Sequence, residues 1–112
     1  MNEPPFEELA GLDRLVHEPA RLSILTALSA CKSADFQFLL RLTGLSKGNL
    51  SSHLAKLEEA GLVIIKKAFE GKIPKTTLTI TSDGRKQLER HWKDLERIRK
   101  NATQWKPEEE PS

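Results

Sequence analysis

Apolar residues recur at two different periods along this chain, and the change of period divides it into elements. Phe6, Leu9, Leu12 and Val16 stand at near-helical spacing, so a first helix is predicted there, weakened by Gly11. Pro19 occupies a favoured first-turn position, and Leu22, Ile24, Leu25 and Leu28 after it predict a strongly apolar core helix ending near Ala30. Residues 31–34 read as a short polar link. Asp35 can cap a third helix that buries Phe36, Leu39 and Leu40 and ends at Gly44.

The next stretch, TGLSKGNLSSHLAKLEEAGLV, predicts a short turn at Gly44, then a helix capped by Ser46 and ended by Gly61. Leu50, Leu54 and Leu57 fall four and three residues apart, one narrow stripe facing the core. With about 100° of rotation per residue, Gly48, Asn49, Ser52, Ala55, Lys56 and Glu59 fall on the side away from it. Small and hydrogen-bonding residues dominate the start of that side. A helix entering the major groove of DNA needs such a face, since bulky side chains hold the backbone away and carboxylates repel phosphate.

After Gly61 the period changes to two. LVIIKKAF reads as a strand, EGKIPK as a hairpin loop punctuated by Gly71 and Pro74, and TTLTIT as a second strand with one buried face. Lys66, Lys67, Lys72 and Lys75 sit at the ends and tip of this ribbon. The last segment, SDGRKQLERHWKDLERIRKNATQW, places Leu88, Trp92, Leu95 and Ile98 on one side of a charged helix. Since the small core is complete before it, this helix is expected to dimerise, with Phe6, Leu9 and Leu12 of the first helix as further contacts. The expected fold is α+β and mainly helical, a winged helix-turn-helix with a two- to three-stranded β-wing between flanking dimerisation helices. Its domain spans residues 6–105, between a flexible N-terminus (1–5) and a disordered acidic tail (106–112).

A chain of 112 residues has room for one such domain and for no separate catalytic one. Its apolar runs are too short to cross a bilayer, and the acidic start MNEPPFEEL lacks the features of a secretory signal, so the cytoplasm is the expected location. The net charge of +2 conceals an uneven distribution. Residues 41–80 carry seven basic and three acidic side chains, whereas residues 1–40 carry three and six. A locally basic surface in a near-neutral protein suits a phosphate-binding face.

The stretches HEPARLSILTAL, GLSKGNLSSHLAKLEEAGLVIIKK and TTLTITSDGRKQL, in that order, resemble the winged-helix domain of MarR- and ArsR-type transcriptional regulators over about residues 12–90. The resemblance implies a homodimer that binds double-stranded DNA, with the helix from Ser46 to Ala60 as recognition helix and residues 69–75 as wing. Ser46, Lys47, Gly48, Asn49, Ser51, Ser52, His53 and Lys56 are then the expected DNA contacts on the helix, with Asn49 and Ser52 at base edges and Lys56 near a phosphate. Lys66, Lys67, Lys72 and Lys75 are the expected wing contacts. The closely spaced cysteines of ArsR metal sensors are absent, so metal sensing is not expected. Whether a small-molecule effector binds between the flanking helices and the winged domain is left open.

Other chemistries find little support. His17, His53 and His91 are far apart and lack an i, i+4 metal partner, which assigns them to packing or surface roles, with His53 a helix-flank contact or phosphate ligand. Cys31 follows an apolar helix without a basic pair beside it and reads as an inert structural thiol. Ser52 and His53 point about 100° apart on a helix, so they make no catalytic pair. No enzyme and no cofactor are expected. The alternative of another class is a winged helix that grips a protein instead of DNA.

Overall fold

A computed structural model describes residues 5–107, in which the elements follow the order α1 (Phe6–Ala10), α2 (Pro19–Ala30), β1 (Ala34–Asp35), α3 (Phe36–Thr43), α4 (Lys47–Glu59), β2 (Val63–Glu70), β3 (Ile73–Ile80) and α5 (Ser82–Gln104). Residues 1–4 and 108–112, which hold most of the expected flexible terminus and acidic tail, lie outside the described residues. Pro5, placed with the flexible terminus by the sequence, is buried, and its carbonyl accepts the Leu9 amide at 3.1 Å. The helix starts follow the expected capping chemistry. Asp35 accepts the Phe38 amide at 2.7 Å and Ser46 accepts the Asn49 amide at 3.2 Å, each satisfying an otherwise orphaned donor.

The leucines of α2, α3 and α4 meet in one core. Leu25, Leu28, Leu39, Leu50, Leu54 and Leu57 are all buried there, together with Leu62, Val63, Leu78 and Ile80 of the sheet side. The architecture is a mainly helical winged helix-turn-helix with a three-stranded antiparallel sheet in the order β1-β3-β2.

Three elements differ from expectation. The first helix was expected to run to Val16, but it ends after Ala10, where the Gly11 amide turns back to the Glu7 and Glu8 carbonyls. Val16 still reaches the core, from the loop of residues 11–18. The polar link instead contributes Ala34 to β1, which pairs Ala34 with Leu78 and Asp35 with Thr77. The loop EGKIPK shrinks to Gly71 and Lys72, because Glu70 pairs with Ile73 and Phe69 with Pro74. Gly71 supplies the positive φ of 67° that a two-residue hairpin turn requires at its first position. Pro74 lies beyond the end of β1, where β3 has a free edge and tolerates a residue without an amide hydrogen.

The apolar stripe of α5 is divided. Leu88 joins the core and Ile98 is buried as well, so these two expected interface residues are filled by the chain itself. Trp92 remains 44% exposed and Leu95 half-buried. The cause is the start of α5, which is pressed against the core. Thr81 caps it by accepting the Gly84 amide at 2.9 Å, while its hydroxyl donates to the Gly61 carbonyl at 2.7 Å. A Cβ on Gly84 would stand 2.2 Å from the Leu62 carbonyl oxygen and 2.8 Å from Ile80 Cγ1.

Further along α5, His91 is buried, and its Nε2 lies 3.2 Å from Nδ1 of His17 in the 11–18 loop. One nitrogen must carry the proton and the other accept it, so the contact requires at least one neutral imidazole. Burial, followed by the charge of His17, holds the His91 ring below its ordinary value against the opposing pull of Asp13 and Asp94.

Two outcomes follow from this packing. Gly84→Ala, a small overpacking against rigid backbone, should lower stability in urea unfolding by about 1–3 kcal/mol; an unchanged midpoint would mean that the contact relaxes freely. For His91 the neutral form is favoured by folding, so its contribution is complete above the ordinary value of 6.5 and is lost as pH falls below it. Thermal melting between pH 8 and 5 should show this decline, and His91→Gln should flatten it; an equal decline in the variant would assign it to other groups.

Candidate nucleic-acid interface

Burial of Leu50, Leu54 and Leu57 fixes the rotation of α4, and this turns the expected contact residues outward. Ser46, Lys47, Gly48, Asn49, Ser51, Ser52 and Lys56 are all exposed. The side-chain carboxamide of Asn49 makes no hydrogen bond among the described residues, only its backbone amide being held by Ser46, and a Cβ added at Gly48 would meet nothing within 4 Å. The backbone at the start of α4 is therefore open to close approach. The Ser46 hydroxyl, by contrast, is engaged as the helix cap.

His53 is the one expected helix contact that is drawn inward. Its Nδ1 lies 3.1 Å from Arg21 Nη1 and 3.7 Å from Glu18 Oε2. Arg21 also donates through Nε to the Leu15 carbonyl at 2.7 Å and through Nη2 to the Arg14 carbonyl at 3.1 Å. Burial acts to raise the Glu18 carboxyl, but hydrogen bonds from the Arg21 and Ala20 amides, with the charges of His53 and Arg21, outweigh it and hold the group below its usual range. His53 thus ties the flank of α4 to α2 and to the 11–18 loop.

The hairpin register distributes the four lysines. Val63, Ile65, Lys67 and Phe69 share one face of β2, and Ile64, Lys66, Ala68 and Glu70 the other. Lys67 therefore lies on the core side, where it lines an open cleft of about 610 Å³ with Ser51, Ala55 and Glu58 of α4. Lys66 and Lys75 lie on the opposite face, and Lys72 stands in the turn. Lys75 is paired with Glu70 at 3.4 Å, whereas Lys47, Lys56, Lys66, Lys67 and Lys72 form no ion pair among the described residues. One basic group escaped the sequence reading. Arg41 of α3, stacked over Phe38, lines a depression with Asp35, Lys75 and Thr77. Only the pairing of β1 with β3 brings Arg41 and Lys75 together, and no spacing along the chain announces it.

The expected dimer residues are only partly available. Phe6 and Leu9 are exposed and Leu12 is half-buried, but Phe6 already meets Trp105 edge-on at 5.3 Å. Glu8 and Arg97 form a two-pronged ion pair that fastens α1 to α5. Between the 11–18 loop and α5, a depression of about 110 Å³ is lined by Leu12, Asp13, Gln87 and His91. That is below the roughly 300–1,000 Å³ of ordinary small-molecule sites. Among the described residues no group of three or more His, Cys, Asp or Glu side chains could hold a metal ion, and no helix is long and apolar enough to cross a membrane.

The comparisons with known proteins agree with this geometry. A sequence profile of the winged helix DNA-binding domain matches residues 20–99. An uncharacterized protein of Methanocaldococcus jannaschii is 33% identical over 89 residues, which make up 79% of this chain and 96% of that protein. The structure of a transcriptional regulator homologue protein from Pyrococcus horikoshii OT3 superposes with a TM-score of 0.78 at 28% identity, covering 88% of this chain and 96% of its own. A MarR-family transcriptional regulator from Silicibacter pomeroyi shares the fold with a TM-score of 0.61 at 21% identity, over 92% of this chain and 66% of that one. With the outward face of α4, the basic hairpin and these matches in hand, the chain belongs to the winged-helix DNA-binding domain family and has the fold of MarR-type transcriptional regulators.

Proposed function

We propose that the chain is a sequence-specific regulator, not an enzyme, that binds double-stranded DNA as a homodimer in the cytoplasm. Its α4 lies in the major groove and its hairpin grips the flanking phosphates. The observation that carries this reading is the exposed small polar face of α4, next to a cleft that the helix shares with the hairpin and that Ser51, Ala55 and Glu58 line together with the unpaired Lys67. Asn49 and Ser52 reach base edges, while Lys56, Lys67 and Lys72 neutralise phosphates. The dimer forms through Trp92 and Leu95 of α5 with Phe6, Leu9 and Leu12. Leu88 and Ile98 support that surface from within.

The alternative is a protein-binding winged helix, and one observation favours it: Phe69 and Ile73 on the hairpin are 75% and 70% exposed. A gel shift against genomic fragments separates the two readings, since only the first predicts a retarded complex.

Asn49→Ala should lose roughly 1–3 kcal/mol of discrimination at one or two base positions of each half-site. A selection from random DNA that returns the unchanged sequence would remove Asn49 from the reading set. Lys72→Ala should weaken specific and nonspecific DNA alike and reduce the slope of log affinity against log salt by about 0.9, doubled in a dimer that uses both wings. Lys75→Ala should do less, because Glu70 already holds that charge. If neither variant changes affinity or slope, the lysines do not touch phosphate.

For the dimer, Trp92→Asp with Leu95→Asp should yield a folded monomer in sedimentation, since both residues lie outside the buried core. A native protein that is monomeric at micromolar concentration would refute the interface.

A further inference from the structure

One short loop touches both the flanking helix and the arginine that braces the proposed reading helix. Residues 11–18 meet α5 through His17, whose Nδ1 lies 3.2 Å from Nε2 of the buried His91. The same loop meets α2 through its backbone, where Arg21 donates from Nε to the Leu15 carbonyl at 2.7 Å and from Nη2 to the Arg14 carbonyl at 3.1 Å. The remaining nitrogen of that guanidinium, Nη1, stands 3.1 Å from Nδ1 of His53 on the flank of α4. One side chain thus holds the loop with two nitrogens and the helix with the third. Between the two attachments Val16 is buried in the core, a fixed point about which the loop turns. A displacement of His17 on one side of Val16 therefore carries the Leu15 carbonyl on the other.

The His17–His91 contact is open to disruption by mild acid. Two facing ring nitrogens share one proton across a hydrogen bond, so the contact survives while either ring is neutral and fails when both are charged, each nitrogen then being a donor. Of the charged groups around His91, His17 of the loop disfavours its charged form, whereas Asp13 of the loop and Asp94 of α5 favour it, and Arg90 lines the same depression. Of the elements packed on α5, α2 holds a single charged side chain, Arg21, which is engaged with the loop and His53, and α1 holds the exposed Glu7 and the Arg97-paired Glu8. Burial outweighs the two aspartates, so the ring charges only on the acid side of its ordinary 6.5. Either response to that charge moves the loop. The two rings part, or Asp13 turns to the charged ring and leaves the Leu15 amide, which its Oδ1 holds at 2.9 Å.

We propose that residues 11–18 form an acid-released strap: when His17 and His91 both carry a proton the loop leaves α5, Arg21 loses its carbonyl partners, and α4 loses the brace at His53 that fixes its aim on DNA. This rests on the DNA-binding reading above and adds to it a regulation by protons. Its sign is opposite to that of a general effect of charge, since added positive charge strengthens attraction to phosphate whereas release of the strap weakens binding.

The test follows the full chain from pH 7.5 to 5.5, below its melting temperature, in two measurements. One is affinity for a duplex selected from random DNA by the native protein at pH 7.5. The other is amide hydrogen exchange of residues 11–18 and of α4 without DNA, corrected for the intrinsic pH dependence of exchange. In the native chain affinity should fall by at least about fivefold, and protection of the loop and of α4 should fall with it. His17→Gln, at an exposed position, removes one of the two protons and should keep affinity and protection level across the range. Arg21→Met should separate the two measurements: the loop still loses protection in acid, while affinity, already lower than native at pH 7.5, no longer depends on pH. A native affinity that stays level or rises in acid overturns the strap and leaves the DNA-binding reading intact. An equal fall in His17→Gln does the same, because the titrating group would then lie elsewhere, His53 included. Unchanged loop protection in the native chain at pH 5.5 overturns the strap whether or not DNA is bound. Failure of the native chain to bind any duplex at either pH removes the DNA-binding reading and the proposal with it.

Discussion

Everything on the proposed DNA face depends on the burial of Leu50, Leu54 and Leu57 beneath α4. Each fully buried leucine contributes about 1.5–3 kcal/mol relative to exposure, so rotating the helix to present another face would forfeit most of that. Gly48, Asn49 and Ser52 are consequently held outward by the core, without side-chain hydrogen bonds of their own among the described residues. The Arg21–His53 contact acts on the same element from the side, joining it to α2 and to the loop that follows α1. A readout surface made of short side chains has little freedom of its own, and its aim is that of the helix.

The hairpin is aimed by a second constraint. Leu62 and Val63 are buried at its base, and Thr81 and Gly84 close the corner where β3 passes into α5. Because β pairing alternates faces, fixing the base fixes the direction of every residue to the tip. Lys67 is thereby turned toward α4 and Lys66 away from it. The same corner presses the first turns of α5 into the core, which explains why Leu88 serves the single chain while Trp92 is left outside.

Charge is organised on this frame by selective pairing. The locally basic middle of the chain keeps most of its lysines unpaired, and its carboxylates at Glu58 and Glu70 stand opposite Lys67 and Lys75. The flanking segment behaves differently. Exposed pairs such as Lys93–Glu89 and Arg99–Glu96 run along α5, where they add little stability.

The sequence by itself determined the helix-turn-helix, its caps and the outward face of α4, because these depend on local period and on single residues such as Asp35 and Ser46. It also marked the lysines of the hairpin and the apolar side of α5. The extent of α1, the length of the hairpin turn, the pairing of Ala34 with Leu78, and the contacts of His17 with His91 and Arg21 with His53 were decided by the tertiary structure. The contacts among these join residues far apart in the chain, the place of Pro74 turns on whether a neighbouring strand is present, and the ends of α1 and of the hairpin strands turn on backbone pairing that residue pattern alone leaves open. The division of the α5 stripe has the same origin. A helical period shows which residues share a side, but whether that side meets the chain's own core or a second copy depends on what packs there, and for Leu88 the buried corner at Gly84 decided it.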